Sequence, residues 1–150
     1  MKHIKLLFLS LIVATSLFAQ EPSHEFRATW LATVSSIDWP KTKATTAEKR
    51  EQQKQELIDI LEKLAAGNMN ACCMQVRSLC DAMYQSSYEP WSAALTGTRG
   101  QDPGYDPLAF AVEEAHKRGI ELHVWVNPFR VTSSGTLSTS DKLQQHAGEW

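Results

Sequence analysis

The sequence predicts a parallel α/β protein, and three observations carry that expectation. In GIELHVWVNPFR (119–130), His123, Trp125 and Asn127 share one face of a strand that ends in Pro128, Phe129 and Arg130, while Leu122, Val124 and Val126 share the other. In MNACCMQVR (69–77), Ala71, Cys73, Gln75 and Arg77 alternate in the same way with Cys72, Met74 and Val76. Between such strands lie segments with helical periodicity. A strand with one apolar face for helices and polar groups gathering at its C-terminal end is the pattern of folds whose active sites stand at strand C-termini.

The elements follow in order. Arg27–Val34 (RATWLATV), rich in β-branched residues, reads as the first strand. Thr45 with Glu48 has the spacing of a capping box. Leu57, Ile58, Leu61, Leu64 and Ala65 then recur at helical spacing, and Gly67 stands where a helix C-terminal glycine is expected. Asn70–Val76 is the second strand. Asp106 is a good N-cap with Pro107 at the first helical position, opening a helix to Arg118 that carries positive charge in its last turn. Gly119 ends it, and Ile120–Val126 is the third strand. The order is β-α-β-α-β, with helices long enough for right-handed crossovers. The link from Arg77 to Asp106 exceeds the ~12–15 residues of an ordinary loop. Its Tyr84, Tyr88, Trp91 and Tyr105 need something to pack on, which points to a partly ordered loop over the strand C-termini.

Composition narrows the classes. At 150 residues with 43% hydrophobic content the chain suits a globular core. Residues 1–19 read as a secretory signal peptide: Lys2 and Lys5, an apolar run from Leu6 to Phe18, then Ala19 before polar residues. The run is short for a membrane span, and no cysteine precedes Cys72 to accept a lipid. Losing Lys2 and Lys5 takes the formal charge from −2 to −4. No basic patch with interleaved aromatics is present, so nucleic acid is not an expected partner. Three cysteines, two of them adjacent on opposite strand faces, give no disulfide framework and read as small buried residues. Without CxxC or a histidine cluster, no metal and no cofactor is expected. Three strands in parallel order leave an open edge, so residues 20–150 read as the N-terminal part of a longer domain.

Five segments, EFRATWLATV (25–34), IDWP (37–40), QVRSLCDAMYQSSYEPWSAALTG (75–97), PGYDPLAF (103–110) and EAHKRGIELHVWVNPFR (114–130), together resemble the N-terminal half of the glycosyl hydrolase-like 10 family. The resemblance implies a (β/α)8 barrel, of which this chain would hold about the first three βα units. It also implies an exported bacterial protein related to glycoside hydrolases, with polysaccharide, including peptidoglycan glycan strands, as candidate substrate. Many members are lipoproteins, and this chain lacks the cysteine for that. The Asp-Asp-Tyr-type segment associated with the family's site does not occur in these 150 residues, so no nucleophile is carried over.

Glycoside cleavage uses two carboxyl groups across the scissile bond. The candidates near strand ends are Asp38, Asp81 and Glu89, with Asp81 placed to pair with Arg77. Each reads more readily as a structural or solvated carboxylate than as a proton-transfer group. Arg77 could hold a carboxylate or sugar hydroxyls in fixed geometry, or form an internal ion pair. His123 reads either as a hydrogen-bond donor to substrate or as a core histidine. Trp125 offers a stacking face and Asn127 reads hydroxyls both ways; Trp125 could also fill the interior. Trp39 and Trp91, in loops after strands one and two, are sugar platforms or lid anchors, and Arg130 is an exposed group that orients its loop or binds an anionic substituent. Three functions compete: a polysaccharide hydrolase whose acid pair lies further along the chain, a carbohydrate-binding barrel without catalysis, and a metal-dependent hydrolase. The expected location is periplasmic or extracellular. N-terminal sequencing of the mature protein should begin at Gln20; recovery of an intact Met1 form in the membrane would contradict the leader reading.

Overall fold

The computed structural model describes residues 25–132 and Asp141. The leader expected over 1–19 lies outside the described residues, as does nearly all of the polar segment 133–150. Strand β1 (Ala28–Leu31) leads through a single 3-10 turn (Val34–Ser36) to helix α1 (Ala47–Ala66), strand β2 (Ala71–Arg77), the short helix α2 (Ala93–Thr96), helix α3 (Pro107–His116) and strand β3 (Glu121–Val126). The three strands form one parallel sheet in the order β1-β2-β3. Trp30, Cys73 and His123 stand in one register row, and Leu31, Met74 and Val124 in the next.

Burial of one sheet face drives the assembly. Leu31, Cys72, Met74 and Val76 pack with Leu57 and Leu61 of α1, Ala111 and Ala115 of α3, and Ile120. On α1 the buried stripe runs Gln53, Leu57, Leu61, with Ile60, Leu64 and Ala65 beside it, whereas Ile58 is not part of the cluster. Cys72 lies within this core, and burial pushes its thiol up to about 11, so it behaves as a small apolar side chain at neutral pH. At the far end of the helices Arg118 joins Glu114 at 2.7 Å and Glu62 of α1 at 3.0 Å.

Element ends differ from the sequence reading, each for a local reason. β1 stops at Leu31 because the Thr33 and Val34 N–H groups turn onto the Gln75 side chain rather than continuing a ladder. Thr46, not Thr45, is the N-cap of α1, its hydroxyl accepting from the Lys49 N–H, so Thr45 and Glu48 do not form the box. Gly67 closes α1 with φ −82°, and Asn68 takes the left-handed conformation at φ 56°. Asp106 caps α3 through the Ala109 N–H, as its position before Pro107 predicts. That helix ends at His116, two residues early, and the chain reverses through Gly119 at φ 68°.

The long link is ordered. Ala82 and Trp91 bridge its two arms, the buried Met83 donates its N–H to the Val76 carbonyl, and Arg99 holds the Leu79 and Cys80 carbonyls. Tyr84 and Trp91 pack against the core, but Tyr88 is 61% exposed. One buried polar side chain ties this loop to α1. Gln53 donates to the Thr42 and Leu95 carbonyls and accepts from the Tyr105 hydroxyl at 2.7 Å, while its own carbonyl receives the Trp39 indole N–H. Gln53→Leu should therefore destabilise the protein by about 2–4 kcal/mol, since it strands several buried polar groups at ~1–3 kcal/mol each. Urea unfolding measures this, and a loss below about 1 kcal/mol would show that water replaces those bonds.

Candidate functional site

The C-terminal ends of the three strands meet at two polar side chains of β2. Gln75 is fully buried, and its Oε1 accepts from Thr33 N at 3.1 Å and Val34 N at 2.9 Å, while its own carbonyl accepts from the Thr33 hydroxyl. This fixes the exit of β1. Arg77 serves the other side. Its Nη1 donates to the Asn127 carbonyl, and Asn127 N–H returns a bond to the Arg77 carbonyl at 2.9 Å, which fixes the exit of β3.

Arg77 Nε donates to Glu89 in a close ion pair, and Nη2 reaches Cys80 Sγ at 2.9 Å. Burial alone would lower the guanidinium pKa, but the hydrogen bond and charge of Glu89 outweigh it and hold the group above its ordinary value. Burial likewise pushes up the Cys80 thiol against the pull of Arg77, and the Tyr84 hydroxyl, to which the Glu89 charge adds. The pairing of Arg77 with Asp81 that the sequence suggests does not occur. Asp81 instead turns Oδ1 onto the Ser78 N–H, the Ser78 hydroxyl and the Leu79 N–H, because the chain doubles back immediately after β2. Asp38 is exposed and accepts from the Ala32 N–H at 2.7 Å, closing the turn after β1.

On the sheet face opposite the helices stands an aromatic row. Trp30 of β1 and Trp125 of β3 meet edge to face, ring centroids 5.1 Å apart, above the intervening β2. Their register partners there are Cys73 and Gln75, and the small Cys73 leaves room for the rings to close. Phe26 packs edge-on against His123 at 5.3 Å. Trp30 and Phe26 are 66% and 62% exposed, so the row presents apolar surface to a ligand or to further chain. The Trp125 indole donates to Asn127 Oδ1, and Asn127 Nδ2 donates to the Ser78 carbonyl, so both side chains are held in place. His123 is largely exposed, 3.4 Å from Glu121.

The tryptophan expectations divide. Trp39 has no exposed surface: it is an anchor packed in the core with its N–H on Gln53, and it offers no open face as a sugar platform. Trp91 is half-buried between the loop and the core, and Arg130 is exposed. Trp30 and Phe26 escaped the sequence reading as site residues. The alternation that places Cys73 and His123 on one face, extended to the first strand, would have found Trp30.

A model of the family described as glycosyl hydrolase-like 10 matches residues 25–149. The chain belongs to this family. It is 43% identical over 155 aligned residues to a Bacillus subtilis (strain 168) protein named glycosyl hydrolase YngK, covering 97% of this chain and 30% of that one. It is also 43% identical over 126 residues to proteins named glycosyl hydrolase DigH from Escherichia coli (strain K12) and Shigella flexneri, covering 79% of this chain and 28% of each. The chain thus spans under a third of the length of these glycosyl hydrolase-like 10 relatives.

Arg77 and Glu89 form an ion pair largely shielded from solvent. Removing the cation alone in Arg77→Met should cost about 3–5 kcal/mol by leaving Glu89 buried and unpaired. The double variant Arg77→Met/Glu89→Gln should lose clearly less than the sum of the single changes. Additive losses in chemical unfolding would show that the two groups act independently.

Proposed function

We propose that this family member is an exported glycoside hydrolase acting on bacterial polysaccharide, with peptidoglycan glycan strands as the first substrate to test. The observation that carries the reading is the row Trp30–Trp125 at the C-terminal ends of parallel strands, beside the fixed polar groups of Arg77 and Asn127. Aromatic edges and faces beside hydrogen-bonding groups suit a sugar ring, which is apolar on one face and hydroxylated around its rim. The family's name and those of its relatives support the same chemistry.

The three-stranded parallel sheet is the beginning of a (β/α)8 barrel in this reading, and the aromatic face is its lumen. Support comes from β3, where Val124 and Val126 on the helix-facing side are 56% and 47% exposed, surface that a further βα unit would cover. Hydrolysis runs through a general acid and a second carboxylate. Asp38, Asp81 and Glu89 already close a turn, cap a loop and balance Arg77, so the acid pair is assigned to later barrel strands. Within this segment Arg77 positions the exits of β2 and β3, and Trp125 with Trp30 binds the sugar.

Assay of peptide-free glycan strands should show turnover by a chain of the relatives' full length and none by residues 1–150. Turnover by the short chain would make one of Asp38, Asp81 or Glu89 catalytic, and binding without cleavage by the long one would favour the carbohydrate-binding barrel. Metal dependence of turnover would point to the metal-dependent alternative. In the long chain Trp125→Ala should weaken substrate binding by roughly 0.5–1.5 kcal/mol beyond lost contact area; unchanged affinity would return Trp125 to a filling role.

A further inference from the structure

A second polar feature lies apart from the aromatic row. Between the exits of β1 and β2 lies an open cleft of about 360 Å³, lined by Thr33, Ser35, Ser36, Lys43, Asp81 and Ser92 among others. That volume falls within the ~300–1,000 Å³ of small-molecule sites. Two charged groups reach it, and each has unused bonding capacity. Lys43 Nζ donates to Ser36 Oγ and to the Ala94 carbonyl, both at 2.8 Å, which leaves the third N–H of the ammonium. Among the described residues no carboxylate lies within ion-pair distance of it; Glu56, whose charge acts on it, is occupied by the Lys41 and Thr42 N–H groups and the Thr42 hydroxyl.

Asp81 is 97% buried, yet only its Oδ1 is hydrogen-bonded within the described residues. Among the described residues no fully buried side-chain oxygen lacks a partner, so Oδ2 keeps a sliver of exposed surface, and Asp81 is among the residues that line the cleft. The wall between the two charges is built from backbone that is costly to hold. Ser35 and Ser36 both have φ 53°, a left-handed conformation unfavourable for residues with a Cβ. The Lys41 and Lys43 ammonium groups fasten that turn by its carbonyls and the Ser36 hydroxyl. The result is a fixed cleft with one cationic donor, one anionic acceptor and several hydroxyls.

We propose that this cleft is a subsite for a sugar ring bearing a carboxylate, with Lys43 binding the carboxylate and Asp81 accepting a hydroxyl of the same ring. The assignment rests on the glycan-hydrolase reading and narrows it to acidic glycans. A neutral sugar would satisfy Asp81 and leave Lys43 desolvated without a counter-charge. A bare anion would meet Lys43 and be repelled by Asp81. A ring with a carboxylate for Lys43 and a hydroxyl for Asp81 matches both ends.

Glucuronic acid and glucose are the probes, titrated into the isotope-labelled full chain while the backbone amide signals of Ser36, Ser78 and Ser92 are followed. Glucuronic acid should move these signals and bind about tenfold tighter than glucose, the low end of what a charge-assisted hydrogen bond contributes. Lys43→Gln should abolish that preference and Lys43→Arg should keep most of it, the amide spectrum reporting that each variant is folded. Equal binding of the two sugars by the unaltered protein, or shifts confined to residues around Trp125, would overturn the subsite. Turnover of a neutral glycan alongside a flat glucuronic acid titration overturns the subsite and leaves the hydrolase reading standing. Glucuronic acid binding without turnover of any glycan does the reverse.

Discussion

Strand β2 is the constraint on which the remainder depends, because among the described strands it alone has a neighbour on each side. Its apolar face, Cys72, Met74 and Val76, is the floor of the core that α1 and α3 cover. Its other face ends in Gln75 and Arg77, and these two side chains hold the exits of β1 and β3 through backbone groups. A parallel sheet leaves the last N–H and C=O groups of each strand without a partner in the following loop. Here the middle strand supplies those partners from its own side chains, so the loops start from fixed points.

A fixed start matters for a site built on loops. Trp125 and Asn127 are locked to each other and to the Ser78 carbonyl, and the turn after β1 is locked by Gln75, Asp38 and two lysines. The aromatic row and the cleft therefore flank the same central strand, one on the face opposite the helices and one between two strand exits. Burial is what makes this possible. Gln75 and Gln53 are buried and Arg77 is half-buried, and several backbone or side-chain groups depend on each of them at once.

Much of the architecture was legible in the sequence because it rests on periodicity. Alternation in residues 69–77 and 119–130 assigned the faces of β2 and β3, and Asp106-Pro107 marked the start of α3. Non-local hydrogen bonds were not legible. Arg77 lies four residues from Asp81 and twelve from Glu89, and proximity in sequence favoured the wrong carboxylate. Trp39 looked like a loop aromatic until the packing of α1 and the β1 loop enclosed it.

By itself the sequence determined the order of elements, the two faces of each later strand, and the family resemblance carried by its motifs. These depend on residue type and spacing, which are local. The tertiary structure decided which carboxylate meets Arg77, which tryptophans are exposed, and that Lys43 and Asp81 line one cleft. Those outcomes depend on how a loop of nearly thirty residues folds back over the strand ends. That path is set by Gln53, Arg99 and the Ala82–Trp91 bridge acting together across distant positions, and no short window of sequence contains all of them.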